Sequence, residues 1–317
     1  MDMRSLVTVL ILLLIVISFS TQVSGSDELK SDLIEAILSL DKPGLFDDYG
    51  ELELVKTKIQ AVLQGMESRE VTSSTNAWVH IFLSITEDFE GMVNVTRSPA
   101  PSDHIQALET AERINASIET LRGYDVVERN GIPLLAELAL KRFYRLEGNF
   151  FEEAARNEAE TRVRIDYERR SSIAYSRGGM PSEASRMDFE ARRDEGIYTK
   201  DMEKASEYLT AAQRHLDNAL HPPSQLFGAA FMEILKARDS FEHAQKIYEK
   251  HKDSELENVQ GLGREIQEVY YSLMRKTLIV IAVYLIILSF IAVMLWWNFQ
   301  RWSDELDDTR LGEELIG

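Results

Sequence analysis

The chain has no cysteine in 317 residues. Disulfide frameworks, thiolate zinc sites, iron–sulfur clusters and thiol nucleophiles are therefore excluded together. An exported body made from this sequence must be held by its core alone, which fits a prokaryotic cell envelope better than a disulfide-stapled eukaryotic secreted protein. Proline is scarce, with seven residues, and each stands at a break between helical segments. Period-2 alternation is almost absent, so strands are not expected. The six histidines include none with a glutamate three residues before it, which removes the di-iron bundle pattern. His243 and His251 lie two helical turns apart, too far to bind one metal on their own. There is no Gly-x-Ser-x-Gly elbow, no phosphate loop and no His-Glu-x-x-His pair. Gly261-Leu262-Gly263 lacks a third glycine and a preceding strand, so it is no dinucleotide fingerprint. No catalytic residue, cofactor or metal ligand is expected.

What is present begins with a long apolar run. Leu278 to Trp297 is twenty residues without a charge, about 30 Å of helix and the thickness of a bilayer's hydrocarbon core. Thirteen of the twenty are Leu, Ile, Val or Phe, worth roughly 4–8 kcal/mol of insertion free energy. Leu278 opens the anchor, and Trp296, Trp297 and Trp302 mark its far interface. Residues 277–299 are read as one transmembrane helix, with the lipid bilayer as a partner.

The N-terminus reads as a secretory signal over residues 1–25. Arg4 precedes an apolar run from Leu6 to Phe19, and Val23-Ser24-Gly25 offers small residues for cleavage. Residues 26–276 then lie outside the cytoplasm and 300–317 form a short acidic cytoplasmic tail. Arg275 and Lys276 on the body side of the span argue the other way, but the first segment usually dominates orientation. The inverted topology would make the body a cytoplasmic adaptor. Between the apolar segments the chain carries 46 acids and 32 bases, a balance that excludes nucleic acid as the main partner.

The body reads as helix throughout. Leu29, Leu33, Ile37 and Leu40 form a first face, ended by Lys42-Pro43-Gly44. Leu52, Val55, Ile59, Val62 and Met66 form a second, and Trp78, Ile81, Phe82, Ile85, Phe89 and Met92 a third. After Pro99 and Pro101, with Ser102 or Asp103 as cap, Ile105, Leu108, Ala111, Ile114, Ile118 and Leu121 make a fourth. Gly131-Ile132-Pro133 opens an apolar helix, Leu134 to Leu146. Phe151, Ala155, Ala159, Val163 and Tyr167 lie four apart along a further helix. From Lys141 to Glu195 twelve bases meet twelve acids, and Arg169-Arg170 and Arg192-Arg193 are expected to pair with glutamates rather than hold an anion. Beyond the break Gly178-Gly179-Met180-Pro181, two seams stand out. Tyr198, Met202, Ala205, Leu209, Ala212, Leu216 and Ala219 face Phe227, Ala230, Ile234, Ala237, Phe241, Ala244 and Tyr248 across the turn His221-Pro222-Pro223-Ser224, an antiparallel hairpin with close axes. Val259, Leu262, Ile266, Val269 and Leu273 continue as a juxtamembrane stalk, residues 254–276. One helix is expected from about Glu255 to Phe299, weakened at Gly261 and Gly263. Its seam packs on the body or pairs with a second copy.

Gly148-Asn149-Phe150-Phe151-Glu152-Glu153-Ala154 and Gly179-Met180-Pro181-Ser182-Glu183-Ala184 resemble the Gly-x-aromatic-x-x-Ala turn of tetratricopeptide repeats, and Ser240-Phe241-Glu242-His243-Ala244 echoes it without the glycine. The first has one residue too many, the second has proline for the aromatic, and the alanine spacings of 30 and 60 depart from the family's 34. The resemblance implies helical-hairpin architecture over residues 131–252, bundle or solenoid-like, without family membership.

Two sequons, Asn94-Val95-Thr96 and Asn115-Ala116-Ser117, matter if the body is exported. Asn94, beside the Pro-rich loop, is the candidate acceptor. Asn115 is placed by periodicity on the apolar side of its helix and is expected to stay unmodified. The functional expectation is an all-α, membrane-anchored scaffold or accessory subunit of an envelope complex, acting on other proteins. A homo-oligomer through the stalk or span belongs to that reading. The competing expectation is an envelope enzyme whose carboxylates come from separate helices.

Overall fold

The computed structural model describes residues 29–40, 42, 45–66, 73–222 and 228–314, without the side chains of 66, 73 and 303–314. The signal segment 1–25, Pro43-Gly44, Pro223, Ser224, Phe227 and the last three residues lie outside the described residues. Among those described, helices follow one another without a strand. They are α1 (29–40), α2 (Gly50–Met66), α3 (Ser73–Val95), α4 (Pro101–Leu121), α5 (Asp125–Arg129), α6 (Ile132–Asn157), α7 (Thr161–Arg177), α8 (Pro181–Leu220), α9 (Ala229–His251) and α10 (Leu256–Glu314). The chain divides into two compact units. The first holds the residues up to Glu158 with Val163–Glu195, and the second holds Ala159–Arg162 with Gly196 onward. Residues 131–252, read above as one hairpin region, therefore split between both, because the single helix α8 contributes its first part to one unit and its remainder to the other.

In the first unit α3 packs on α4, and α2 and α4 pack on α6. The α4–α6 pair is antiparallel: Arg122 meets Glu137 at one end and His104 meets Glu147 at the other. Its core is built from bulky side chains, with Trp78, Phe82, Ile114, Ile118, Phe143 and Phe151 fully enclosed. The helix α7 folds back along α6, held where Ser171 Oγ donates to the Gly148 carbonyl at 2.8 Å and Tyr175 Oη to Glu152 at 2.7 Å. The turn into α8 has Gly179 at φ +72°, a left-handed conformation that suits glycine.

Two readings fail here. The stripe Phe151 to Tyr167 is not one helix: α6 stops at Asn157, Glu158 is extended, and Ala159 is exposed. A four-residue stripe drifts about 40° per step around a helix and cannot stay on one core. Breaking at 158–160 lets α7 bury Ile165, Glu168, Ser171 and Ala174 instead. Nor is Gly148 a repeat turn. It lies mid-helix in α6, where a Cβ would come within 2.6 Å of the Tyr175 ring, so the glycine serves helix contact. The start of α4 differs as well. Ala100 is its N-cap without a side-chain bond, and Pro101 lacks the N–H that Ser102 or Asp103 was expected to satisfy.

In the second unit the expected seams meet. Ala212, Leu216, Ala219, Ile234, Ala237, Phe241 and Ile266 form one enclosed cluster, with Val259, Leu262, Val269 and Leu273 packed against it. The stalk seam thus packs on the hairpin, and α9 and α10 lie side by side. At Gly263 a Cβ would overlap Phe241 Cζ, so this glycine, unlike Gly261, sets how closely α10 approaches. Past Phe299 the helix runs on to Glu314; the tail is not a separate flexible end.

Candidate functional site

The α10 helix supplies the most conspicuous chemistry. It is the helix among the described residues long and apolar enough to cross a membrane. Leu278, Trp296 and Trp297 are all exposed, Trp297 to 72%, and every residue from 281 to 300 is open. Seventeen of these twenty positions are apolar, a surface far beyond the few hundred Å² a soluble monomer exposes. The backbone bonds of α10 are already closed within the helix, which is the condition for crossing lipid.

The joint between α9 and α10 is built from buried polar groups of the second unit. His251 Nδ1 lies 3.0 Å from Thr161 Oγ1 and Nε2 3.0 Å from Asp201 Oδ2. Lys250 also reaches Asp201 at 2.6 Å, and with His251 it holds that carboxyl below the usual aspartate value. Asp253 Oδ2 accepts the Tyr198 hydroxyl at 2.5 Å, while Oδ1 accepts the Glu255 N–H at 2.8 Å. Burial and this carboxylate together push the Tyr198 phenol up. The Thr161–His251–Asp201 order mimics a nucleophile, base and orienting acid. Thr161 is only 4% exposed, so its hydroxyl is a packing partner and meets no substrate. Alongside, an open groove of about 240 Å³ runs between Phe241 and Gln245 of α9 and Gly263, Gln267 and Tyr271 of α10. Arg238 lies over the Tyr270 ring at its edge.

Buried acids of the first unit are the groups a carboxylate enzyme would draw on. His104 and Glu147 are 4% and 3% exposed, with Nδ1 and Oε2 2.9 Å apart. His104 Nε2 donates to the Ser98 carbonyl at 2.8 Å, and the ring stacks on Phe150 at 3.4 Å. Because Nε2 must carry a hydrogen for that carbonyl, one further proton is shared between Nδ1 and Oε2. Burial opposes the charged imidazole, but the Glu147 bond and charge outweigh it and raise the His104 pKa. Burial likewise raises Glu147, so both directions retain the shared proton. Glu168 is 5% exposed, and its Oε2 has no hydrogen-bond partner. Burial, then the Asp194 charge, push its carboxyl up to about 7. Nearby Arg164 is engaged with Asp194 at 3.2 Å. Glu152 behaves oppositely: hydrogen bonds from Arg186 and Tyr175 outweigh burial and hold it below the ordinary glutamate value.

The arginine pairs are salt-bridged: Arg169 to Glu195, Arg170 to Asp166, Arg192 to Asp188 and Arg193 to Asp194. Among the described residues no group of three His, Asp or Glu side chains is placed to hold a metal ion. Asn94 is exposed in the last turn of α3. Asn115 is exposed too, contrary to the periodicity reading, because α4 buries His104, Ala107, Ala111, Ile114 and Ile118. Asn115 borders an open polar cleft of about 270 Å³ with Glu112, Glu137 and Lys141. Sequence reasoning missed His104, Glu147 and Glu168 because polar residues on a core face break no motif and match none. The residual signal was Ile105 and Leu108, one position out of phase with Ala111 and Ile118.

No family model matches this chain, and neither the curated proteins nor the solved structures include one similar to it.

Proposed function

We propose that this is a single-pass membrane protein with an extracytoplasmic helical body and a cytoplasmic C-terminus. It works by binding other proteins, as a scaffold, receptor-like part or accessory subunit of a cell-envelope complex. The observation behind this reading is that one helix, α10, serves both as a member of the second unit's core at Ile266 and as the exposed apolar run beginning at Leu278. Such continuity holds a body at a fixed place over a bilayer. The Arg4-led apolar segment supports export, and the indoles at the far end support a spanning rather than a surface helix. With the stalk seam used within the chain, the span and the exposed stalk face at Tyr271 and Met274 are the surfaces left for a second copy.

The test combines alkaline extraction of membranes with protease shaving of intact cells. The protein is expected to stay with the lipid pellet, and its body to be cut from outside. Recovery in the cytosolic supernatant would overturn the reading, and a membrane-bound but protected body would invert the topology. Crosslinking in native membranes then names the partner. A carboxylate enzyme is the second reading. Glu168, carrying its proton near neutrality, is the observation that favours it, although neither cleft described above reaches that side chain.

A further inference from the structure

We infer that Asn115, together with Asn94, is an N-glycosylation site of the exported body, an inference that rests on the topology proposed above. The motif alone is short; the structural placement is what separates an acceptor from a coincidence. A glycan is bulky and lies at the surface, so the folded state must leave the modified nitrogen an open exit. Asn115 has one. It is exposed on the outer face of α4, and the residues that fill the core from that helix are His104, Ala107, Ala111, Ile114, Ile118 and Leu121. Asn94 is exposed in the last turn of α3, followed by the turn residues 96–99.

The surroundings of Asn115 suit a sugar. The cleft it borders holds about 270 Å³ and is lined by Glu112 and Asn115 of α4, Glu137, Leu140, Lys141 and Tyr144 of α6, and Arg177. That is below the roughly 300–1,000 Å³ of drug-sized pockets and on the scale of a single ring. Its charges are paired, Lys141 and Arg122 with Glu137 and Arg177 with Glu112, which leaves the second lone pairs and the outer N–H groups for sugar hydroxyls. Along α4 the fifteen residues from Pro101 to Asn115 span about 21 Å, which separates Asn115 from the start of the helix.

The step is a glycosyl transfer from a lipid phosphate-linked oligosaccharide, catalysed by an oligosaccharyltransferase on the outer side of the membrane. Asn115 Nδ2 forms a bond to the anomeric carbon and loses one proton. The anomeric C–O bond breaks, and the lipid phosphate leaves with its electron pair.

Full-length protein is purified from membranes of its own cells and mapped by glycopeptide mass spectrometry. A saccharide is expected on the Asn115 peptide. Asn115→Gln and Ser117→Ala should each remove one mobility step on a gel, while Ser117→Thr keeps it. The same cells are shaved with protease. An unmodified Asn115 in a body that is cut from outside overturns this inference and leaves the topology standing. An unmodified Asn115 in a protected body overturns both.

Discussion

The two units reach a packed helical core by different means. In the first, Trp78, Phe82, Phe143 and Phe151 fill wide spaces between helices, and polar groups such as His104, Glu147 and Glu168 are enclosed among them. In the second, Ala205, Ala212, Ala219, Ala237 and Ala244 form the buried seam, and the larger Leu216, Ile234 and Phe241 fill in between. Small seam residues bring helix axes toward the near end of the usual 8–10 Å separation. A wide core thus has room to trap polar side chains and must then satisfy them. The close seam itself is apolar, the second unit's buried polar groups Thr161, His251 and Asp253 standing at the α9–α10 joint instead, and its fit turns on a single missing Cβ.

The strongest way to break this contrast is to unpair the trapped groups. His104→Ala leaves Glu147 enclosed without a partner, and a loss of about 3–5 kcal/mol is expected from denaturant unfolding of the detergent-solubilised full chain. The double change H104L with E147M removes both polar groups and should recover most of it. A single-variant loss near zero would show that the pair is not sealed from water. The sign with pH follows from the raised imidazole value. Its contribution is full below the unfolded histidine pKa and is lost as pH rises through the folded one.

Steric fit comes next. Gly263→Ala drives a methyl into Phe241, and Gly148→Ala drives one into Tyr175; each should cost about 1–3 kcal/mol through overpacking. Gly261→Ala meets nothing within 4 Å and should gain up to about 1 kcal/mol from helix propensity. Equal effects at 261 and 263 would mean that α10 does not approach α9 as closely as its glycine allows.

The effect most sensitive to pH belongs to Glu168. Its folded pKa of about 7 lies above the ordinary 4.5. Folding therefore favours the protonated form, and that stabilisation is full below pH 4.5 and is lost as pH rises to 7. Glu168→Gln mimics the protonated acid. Thermal scans should show it more stable than the parent by about 3 kcal/mol at pH 8 and indistinguishable from it at pH 4.

The second unit was largely legible in the sequence because its seams are apolar at every position of a 3-4 repeat. Ala205, Ala212, Leu216, Ala219, Ile234, Ala237 and Tyr248 are all buried as spaced. The first unit was legible only where the same condition held, as in α2 and α3. On α4 the buried row begins at His104 and Ala107, while Ile105 and Leu108 are half-buried, and that one-step shift also turned Asn115 outward. On α7 the core face carries Glu168 and Ser171, so hydrophobicity marked the wrong side. Leu278, Trp296 and Trp297 stand on the apolar run that composition alone marks, and all three are exposed there. The buried pair has no such mark, because its partners are 43 residues apart and meet only when α4 and α6 fold together.

An unbroken α10 also fixes angular phase. Each residue of a helix turns it by about 100° and advances it by about 1.5 Å. The bearing of the second unit's seam relative to the apolar run is therefore set, like a key on its shaft, by the number of residues between Ile266 and Leu278. Adding or deleting one residue there would leave the seam and the apolar run intact while turning one about the other by that angle.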